Sequence, residues 1–186
     1  MRAIVAGVPG AGKTTILKLV KQHVQTLNII NFGDVMLKYA KGLVKDRDEM
    51  RKLSITTIKT LQKKAARHIS HVKGRNLIID THFSVKTKAG FMPGFNEDVL
   101  KIIKPEIMVL ITAKPEHIWE RRHTDLSRKR DIESLDDIVE HEKVNISYLI
   151  TYSTMAFCPF KIIRNDNGMQ EQAVKKLVDI FNKETE

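Results

Sequence analysis

The sequence has little cysteine and few aromatic residues, and both shortages narrow its possible functions. Cys158 is the only cysteine among 186 residues, so an internal disulfide and a zinc site with several cysteine ligands are both excluded. A chain that cannot form its own disulfide suits a reducing compartment, so we expect a cytoplasmic protein. Aromatic residues make up 6% of the chain, which disfavours a surface that stacks the bases of single-stranded nucleic acid.

The sequence also lacks long apolar runs, internal repeats and linkers rich in Pro, Gly or Ser. No run approaches the roughly 18 apolar residues of a membrane-spanning helix, so we expect no membrane partner. The first residues, MRAIVAG, are too short and too soon followed by Gly and Pro to be a secretory signal. Hydrophobic residues still form 42% of the chain, enough for the core of a single domain over residues 1–186.

Acidic residues are in the minority, which makes the chain strongly basic. There are 32 Lys and Arg residues against 22 Asp and Glu residues, giving a net charge of +10. This charge favours acidic partners such as nucleic acid, an anionic membrane or phosphorylated metabolites. The densest cluster is RRHTDLSRKRD, residues 121–131, where five of eleven residues are Arg or Lys. Such a cluster is typical of a nucleic-acid patch, a localisation signal or a clamp on small phosphates.

Short apolar runs predict the strands of an α/β fold. The five runs are residues 2–6, 28–32, 76–79, 107–111 and 160–163. Apolar residues at steps of three or four predict helices between the runs, notably over 58–72 and 174–181. Pro115 is typical of a first helical turn, and Ser134 with Asp137 predicts a capping box. The alternation predicts a three-layer fold, a five-stranded parallel sheet with helices on both faces.

Polar segments follow four of the predicted strands at their carboxyl ends, where such sheets bind ligands. GVPGAGKTT follows the first strand, Gly-Asp the second, DTH the third and RNDNG the fifth. Because these ends meet at one edge of a parallel sheet, the polar chemistry is expected to collect there.

The first of these segments is a phosphate-binding motif. GVPGAGKT, residues 7–14, fits G-x-x-x-x-G-K-[ST] and lies between a strand and a helical pattern. Its glycines allow backbone N–H groups to turn inward, and the helix N-terminus adds a positive field. The predicted ATP-binding residues are Gly7, Val8, Pro9, Gly10, Ala11, Gly12, Lys13, Thr14 and Thr15. Lys13 is expected to reach the β- and γ-phosphates, and the Thr14 hydroxyl to ligate Mg²⁺.

Asp80, at the end of the third strand, either holds Mg²⁺ directly or through water, or caps a turn or helix.

The arginines favour a phosphate as the acceptor of the transferred group. A hydroxyl acceptor usually needs a carboxylate to position it or take its proton. A phosphate acceptor is already an anion, so fixed cations must bring two anions together, and the arginine fork binds phosphate best. The candidates are Arg47, Arg51, Arg67, Arg121, Arg122, Arg128 and Arg130. This number of arginines favours a nucleotide, rather than a sugar or a nucleoside, as the phosphoryl acceptor.

The segment at about residues 33–73 is the predicted acceptor side. Gly33 allows a ligand to approach the backbone closely, and Asp34 either caps the next helix or contacts substrate. Arg47 and Arg51 are four residues apart, so on a helix they share one face. That face is either a solvated charged surface or a pair that grips phosphate.

Five blocks together resemble the archaeal type of adenylate kinase. They are GVPGAGKTT, NFGDVM, DRDEMRKL, DTH with KTKAGFMPG, and RR…D…RKRD, spread in the family's order over nearly the whole chain. The resemblance implies the reaction ATP + AMP ⇌ 2 ADP with Mg²⁺, and a nucleoside-monophosphate-kinase fold. It also implies a cytoplasmic homo-oligomer, commonly a trimer.

Transferred to this chain, the resemblance gives residue roles. AMP would be bound by Gly33, Asp34, Arg47 and Arg51. Lys13, Arg122, Arg128 and Arg130 would act on the transferring phosphoryl group, with the three arginines on a short lid at about residues 121–136. Asp125 and Asp131 interrupt and end the basic cluster, which favours a closing lid over a nucleic-acid partner.

Departures from bacterial relatives leave some roles open. Bacterial-type adenylate kinases have Asp-Gly-Phe-Pro-Arg at the third strand, whereas this chain has DTHFS. Because the AMP-binding arginine of that run is missing, Arg51 or Lys86 could bind AMP in its place. The role of His82 is either structural or functional. Two other functions stay open: a kinase for another nucleoside monophosphate or a hydroxyl acceptor, and a P-loop switch that binds nucleic acid.

Overall fold

The computed structural model describes residues 1–124 and 133–182. Its main sheet consists of Arg2–Ala6 (β1), Leu27–Asn31 (β2), Asn76–Asp80 (β3), Ile107–Thr112 (β6) and Phe160–Arg164 (β7). All pairings are parallel, in the order β2-β3-β1-β6-β7. The five predicted strands are therefore confirmed, each within one residue at either end. The inner strands β3, β1 and β6 are almost wholly buried, as their continuous apolar runs predict.

Eight helices connect and cover the strands within the described residues. They are Lys13–His23 (α1), Phe32–Tyr39 (α2), Arg47–Met50 (α3), Ile55–Ser70 (α4), Glu97–Ile103 (α5), Pro115–Thr124 (α6), Leu135–Ala156 (α7) and Gln170–Asn182 (α8). Pro115 is the first residue of α6, as predicted. Ser134 caps α7 by accepting from Asp137 N at 3.1 Å, and its own N–H donates to the Asp137 carboxylate at 3.0 Å. The predicted capping box is therefore confirmed.

Two hydrophobic clusters lie on opposite faces of the sheet. Ala3 and Val5 of β1 belong to one cluster, with residues of α1 and α8, while Ile4 and Ala6 belong to the other, with residues of α2, α4, α5 and α7. This alternation follows from the two-residue period of a strand. Both faces are covered, so the predicted three-layer arrangement is confirmed.

One element was not predicted from the sequence, an antiparallel hairpin of Ser84–Thr87 (β4) and Gly90–Pro93 (β5). Gly90 has a φ of 110°, and Ala89 N donates to the Thr87 hydroxyl at 3.2 Å within the turn. The strands are only four residues long and partly exposed, so they carry no long apolar run. The hairpin packs against α7.

The carboxyl ends of the parallel strands place the polar segments together. The register aligns Asn31 with Asp80 and Val5 with Asp80, while Thr112 aligns with Arg164. The glycine-rich loop, the start of α2, the residues after β3 and the loop after β7 therefore share one edge of the sheet. No helix in the described ranges is both long enough and apolar enough to cross a membrane.

Candidate active site

The glycine-rich loop after β1 is held in a conformation that only glycine adopts readily. Gly10 and Gly12 have φ values of 89° and 84°, in the left-handed region. A Cβ atom on Gly12 would lie 2.3 Å from Asn165 Nδ2, which instead donates to Ala11 O at 2.9 Å. Because Gly12 is the N-cap of α1 and has no side chain to cap it, the first N–H groups of the helix are left for an anion.

Lys13, Asp80 and Asn31 form a compact polar cluster beneath this loop. The Lys13 ammonium forms an ion pair with the Asp80 carboxylate, whose other oxygen accepts from Asn31 Nδ2 at 2.7 Å. The side chains of Lys13 and Asp80 are only 10% and 14% exposed. Asn31 also caps α2, since its Oδ1 accepts from Asp34 N at 3.1 Å. Asp80 therefore orients Lys13 and caps neither α1 nor α2.

The donor set at this edge fits Mg²⁺ held together with a nucleotide. No group of three or more His, Cys, Asp or Glu residues gathers for a metal within residues 1–124 and 133–182. Mg²⁺ in phosphoryl-transfer sites is usually bound by one or two protein oxygens, with phosphates and water supplying the rest. Asp80 at the end of β3, and Thr14 in the exposed first turn of α1, are oxygen donors of this kind.

Arg121 and Arg122 lie at the end of α6 and cross over the glycine-rich loop. Arg122 Nε donates to Pro9 O at 2.8 Å, and its guanidinium forms an ion pair with Glu133. Arg121 donates to Asn165 O at 2.9 Å and to Asn167 Oδ1 at 2.8 Å. Arg121 thus ties α6 to the loop after β7.

The predicted lid only partly overlaps the described residues. Residues 121–124 are the last turn of α6, and residues 135–136 begin α7. Arg128 and Arg130 lie outside the described residues, as do Asp125 and Asp131. Arg121 was among the candidate phosphate-binding arginines, whereas sequence reasoning did not assign a site role to Asn165 or Asn167, although the RNDNG segment after β7 was a signal for both.

The structure brings Gly33, Asp34 and Arg47 together on the predicted acceptor side. Arg47 Nε donates to Asp34 Oδ1 at 3.0 Å, and the two side chains form an ion pair that is 46% and 57% exposed. The Arg47 guanidinium carbon lies 3.7 Å from where a Cβ on Gly33 would be. Asp34 lies in the first turn of α2 and is not its cap, because Asn31 has that role. Arg51 follows α3, and its charge acts on His82.

His82 and Lys86 contact different elements, the glycine-rich loop and α7. His82 is an exposed residue, and its Nδ1 is 3.3 Å from Gly7 O. The surrounding protein and then the Lys13 ammonium lower its pKa. Lys86 Nζ donates to Asp137 at 2.7 Å, and this bond raises the pKa of Lys86 and lowers that of Asp137 to about 2. Lys86 therefore faces α7.

Comparison with known proteins yields one family and a group of close relatives. A family model described as "AAA domain" matches residues 6–139. The curated "Adenylate kinase" of Methanothermobacter thermautotrophicus is 41% identical over 181 residues, covering 96% of this chain and 97% of that protein. The "Adenylate kinase" of Thermoplasma volcanium is 41% identical over 183 residues, covering 97% and 99%. That of Thermococcus kodakarensis is 40% identical over 185 residues, covering 96% and 94%.

Solved structures agree with the fold. Shikimate kinase from Bacteroides thetaiotaomicron superposes with a TM-score of 0.64 at 16% identity, covering 98% of each chain. Shikimate kinase from Acinetobacter baumannii, solved with shikimate, gives 0.63 at 14% identity, covering 100% of this chain and 95% of that one. At such low identity the likeness shows a shared P-loop α/β fold and no more.

Proposed function

The chain belongs to the adenylate kinase family, and from this membership we propose that it catalyses ATP + AMP ⇌ 2 ADP with Mg²⁺. It is a phosphotransferase, and the matched model also makes it a member of the AAA-domain family. The proposal depends on one observation: two groups of cationic side chains lie at the same edge of the sheet. Lys13 and Arg122 lie by the glycine-rich loop, while Arg47 and Arg51 lie on the side of α2 and α3. Two anionic substrates need such a site.

The donor side begins with the glycine-rich loop. We assign the ATP phosphates to the N–H groups of residues 7–15, at the N-terminus of α1. Incoming phosphates compete with Asp80 for Lys13, so the ammonium turns to the β- and γ-phosphates while Asp80 and Thr14 become available to hold Mg²⁺. Mg²⁺ held by Asp80 and Thr14 would neutralise charge on the phosphate oxygens and orient them for in-line transfer.

The acceptor side is assigned to Gly33, Asp34, Arg47 and Arg51. Asp34 forms an ion pair with Arg47, and a phosphate with two oxygens for the guanidinium fork can replace it. A Cβ on Gly33 would lie in ordinary van der Waals contact with the Arg47 guanidinium, at 3.7 Å, and 3.3 Å from Asn31 Oδ1, so a side chain there would occupy the space beside the guanidinium. Because the Asp34–Arg47 pair is exposed, little stability is lost when AMP breaks it.

The lid assignment remains a proposal that rests on the resemblance. Arg128 and Arg130 would close over the phosphates with Arg122, excluding water and stabilising the charge that develops in transfer. We expect Arg128→Ala or Arg130→Ala to lower kcat far more than nucleotide affinity. Steady-state kinetics in which both variants keep the wild-type kcat would remove these residues from the mechanism.

We also propose a homo-oligomer, because the family resemblance implies one and because the protein exposes several large apolar side chains. Several large apolar side chains of α7 and the edge strand β7 are exposed: Ile146, Ile150, Met155, Phe157, Phe160 and Ile162. Apolar surface of this kind is typical of subunit contacts. Light scattering of the purified protein should report a trimer, and a monomeric mass at micromolar concentration would contradict it. A cytoplasmic location is proposed from the single cysteine and the family.

An acceptor screen tests the proposed reaction. The purified protein is incubated with ATP, Mg²⁺ and, in separate reactions, AMP, CMP, UMP, GMP or shikimate, and ADP formation is measured. We expect AMP to be the best acceptor, and shikimate to be inert because the site offers cations where a hydroxyl acceptor needs a base. Preference for another monophosphate or for shikimate would support the alternative kinases. Tight, steeply salt-dependent RNA binding without transfer would support a nucleic-acid switch.

A further inference from the structure

Asn165 is the first residue after β7, and both of its backbone groups are held by other elements. Its N–H donates to Thr112 O at 2.7 Å, which extends the parallel pairing of β6 and β7 by one residue. Its carbonyl oxygen accepts from Arg121 Nη2 at 2.9 Å. The residue is only 4% exposed. The sheet and α6 therefore fix the point from which the Asn165 side chain starts.

The Asn165 side chain donates one hydrogen bond to the glycine-rich loop. Its Nδ2 donates to Ala11 O at 2.9 Å. Because a carbonyl oxygen can only accept, the amide must turn its nitrogen towards Ala11, and its Oδ1 is left buried without a partner among the described residues. A buried oxygen without a partner lowers stability, so the contact with the loop is made at a cost.

The direction of the Ala11 carbonyl also sets the direction of the Gly12 N–H. These two groups belong to one peptide unit, and in a planar trans peptide they point in opposite directions. None of the described peptide bonds is cis. Because Ala11 O points at Asn165, the Gly12 N–H points away from it. Within residues 1–124 and 133–182 this N–H donates to no acceptor, so it is open to a ligand.

Gly12 gives this peptide unit an alternative orientation that Asn165 prevents. A peptide unit turns over when ψ of the residue before it and φ of the residue after it change together. Gly12 has a φ of 84°, and glycine adopts negative φ values about as readily. Among the described residues, the bond from Asn165 is the one hydrogen bond that Ala11 O accepts. Asn165 therefore selects one of two orientations that the loop itself permits.

We propose that Asn165 is a positioning residue, which holds the peptide between Ala11 and Gly12 so that the Gly12 N–H is presented to a phosphate of bound ATP. The inference rests on the proposed function, since its ligand is the phosphate chain assigned to the glycine-rich loop. A donor that is fixed before the ligand arrives loses no conformational freedom on binding. Asn165 acts through Ala11 and not by contact with the nucleotide.

Two variants of Asn165 and one matched control test this inference. Asn165→Ala removes the donor, whereas Asn165→Asp keeps the shape and faces Ala11 O with a second acceptor. Asn76→Ala is the control. Asn76 is also 4% exposed, its Nδ2 donates to Thr26 Oγ1 at 3.2 Å, and its Oδ1 also lacks a partner among the described residues. It lies at the amino end of β3, at the opposite edge of the sheet from the loop.

Four properties would be measured for each protein. They are the affinity for ATP by calorimetry, kcat and KM for both nucleotides, urea unfolding, and the shift of the Gly12 backbone amide signal on adding ATP, by NMR of nitrogen-labelled protein. We expect Asn165→Ala to weaken ATP binding about tenfold, as the loss of one charge-assisted hydrogen bond implies, and Asn165→Asp to weaken it further. The Gly12 signal should shift strongly in the wild type and much less in both variants, while KM for AMP stays about unchanged.

Asn76→Ala should lose stability as Asn165→Ala does, with the ATP affinity and the Gly12 shift of the wild type. Either the wild-type ATP affinity or the wild-type Gly12 shift in folded Asn165→Ala would overturn the inference, and Asn165→Asp decides it in the same way if Asn165→Ala does not fold. An equal loss of ATP affinity in Asn76→Ala would also overturn it, because lost stability would then explain the effect. A wild type that binds ATP and shifts the Gly12 signal, but transfers no phosphate to AMP, would instead refute the proposed function alone.

Discussion

The proposed donor and acceptor halves of the site differ in how firmly their charges are held. On the donor side Lys13 and Asp80 are 10% and 14% exposed and Arg122 is 7% exposed, and all three bind protein partners. On the acceptor side Arg47 and Asp34 are 46% and 57% exposed and bind each other. The donor half is therefore prepared before any ligand arrives, whereas the acceptor half keeps its charges available for exchange.

The difference follows from where each half is built. On the donor side, the glycine-rich loop follows β1 and Asp80 ends β3. Both are inner strands of a sheet that is covered on both faces. The acceptor side lies on α2, on the four-residue α3 and on the segment between them. Side chains on a rigid sheet edge are positioned more accurately than those on short helices and connections. Substrate should therefore order the acceptor half more than the donor half.

Removing the donor-side cation should have the largest effect. Lys13→Met is expected to lower kcat on the order of a thousandfold, because the transition-state charge loses a fixed cation. The fold should persist, since Asp80 keeps its bond from Asn31. Activity and circular dichroism measured together check this, with the exposed Lys18→Met on the same helix as the control. A kcat of Lys13→Met within tenfold of the wild-type value would contradict the claim that Lys13 is a fixed cation needed for transfer.

A change of loop geometry should lower both activity and stability. Gly12→Ala forces a Cβ onto a left-handed backbone and to within 2.3 Å of Asn165, so we expect a loss of about 1–3 kcal/mol in unfolding free energy and weaker ATP binding. Gly168→Ala is the matched control, because its φ is also positive, at 78°, but its Cβ meets open space. Urea unfolding in which both variants lose the same stability would show that the loop tolerates displacement.

A change on the acceptor side should act on one substrate only. Arg47→Ala is expected to raise KM for AMP about tenfold, as the loss of one charge-assisted phosphate contact implies. Its unfolding free energy should change by no more than ~1 kcal/mol, because the ion pair with Asp34 is exposed. Initial-rate kinetics with each nucleotide varied check this, with Arg75→Ala at the opposite end of β3 as the control. An equal rise in KM for ATP would remove the distinction between the halves.

The smallest effect concerns stability against acid. Burial lowers the pKa of His141, so below the ordinary histidine pKa of about 6.5 the unfolded chain binds a proton that the folded protein resists. Stability should therefore fall as the pH drops below that value, and His141→Gln should flatten this dependence. Unfolding free energies at pH 7.5, 6.0 and 5.0 check the prediction, which an unchanged slope in the variant would contradict.

The sequence predicted the donor half better than the acceptor half, for a physical reason. A glycine-rich loop is a local motif, and Asp80 could be placed at the same sheet edge because the ends of parallel strands meet there. The contacts of Asn31 and Asn165 were missed, because each depends on a partner far away in the sequence and no motif identifies it. The hairpin that holds Lys86 was missed because its strands are short and half exposed.

Transfer of labelled phosphate tests the central claim most directly. The protein is mixed with ATP labelled at the γ-phosphate, unlabelled AMP and Mg²⁺, and the products are separated at short times, with Lys13→Met as the control. The opposed cations predict that label moves from ATP into ADP formed from AMP, with little released as inorganic phosphate, and that Lys13→Met abolishes this transfer. Label appearing in inorganic phosphate at the same rate with or without AMP would contradict transfer to AMP, because the protein would then be a nucleotide hydrolase.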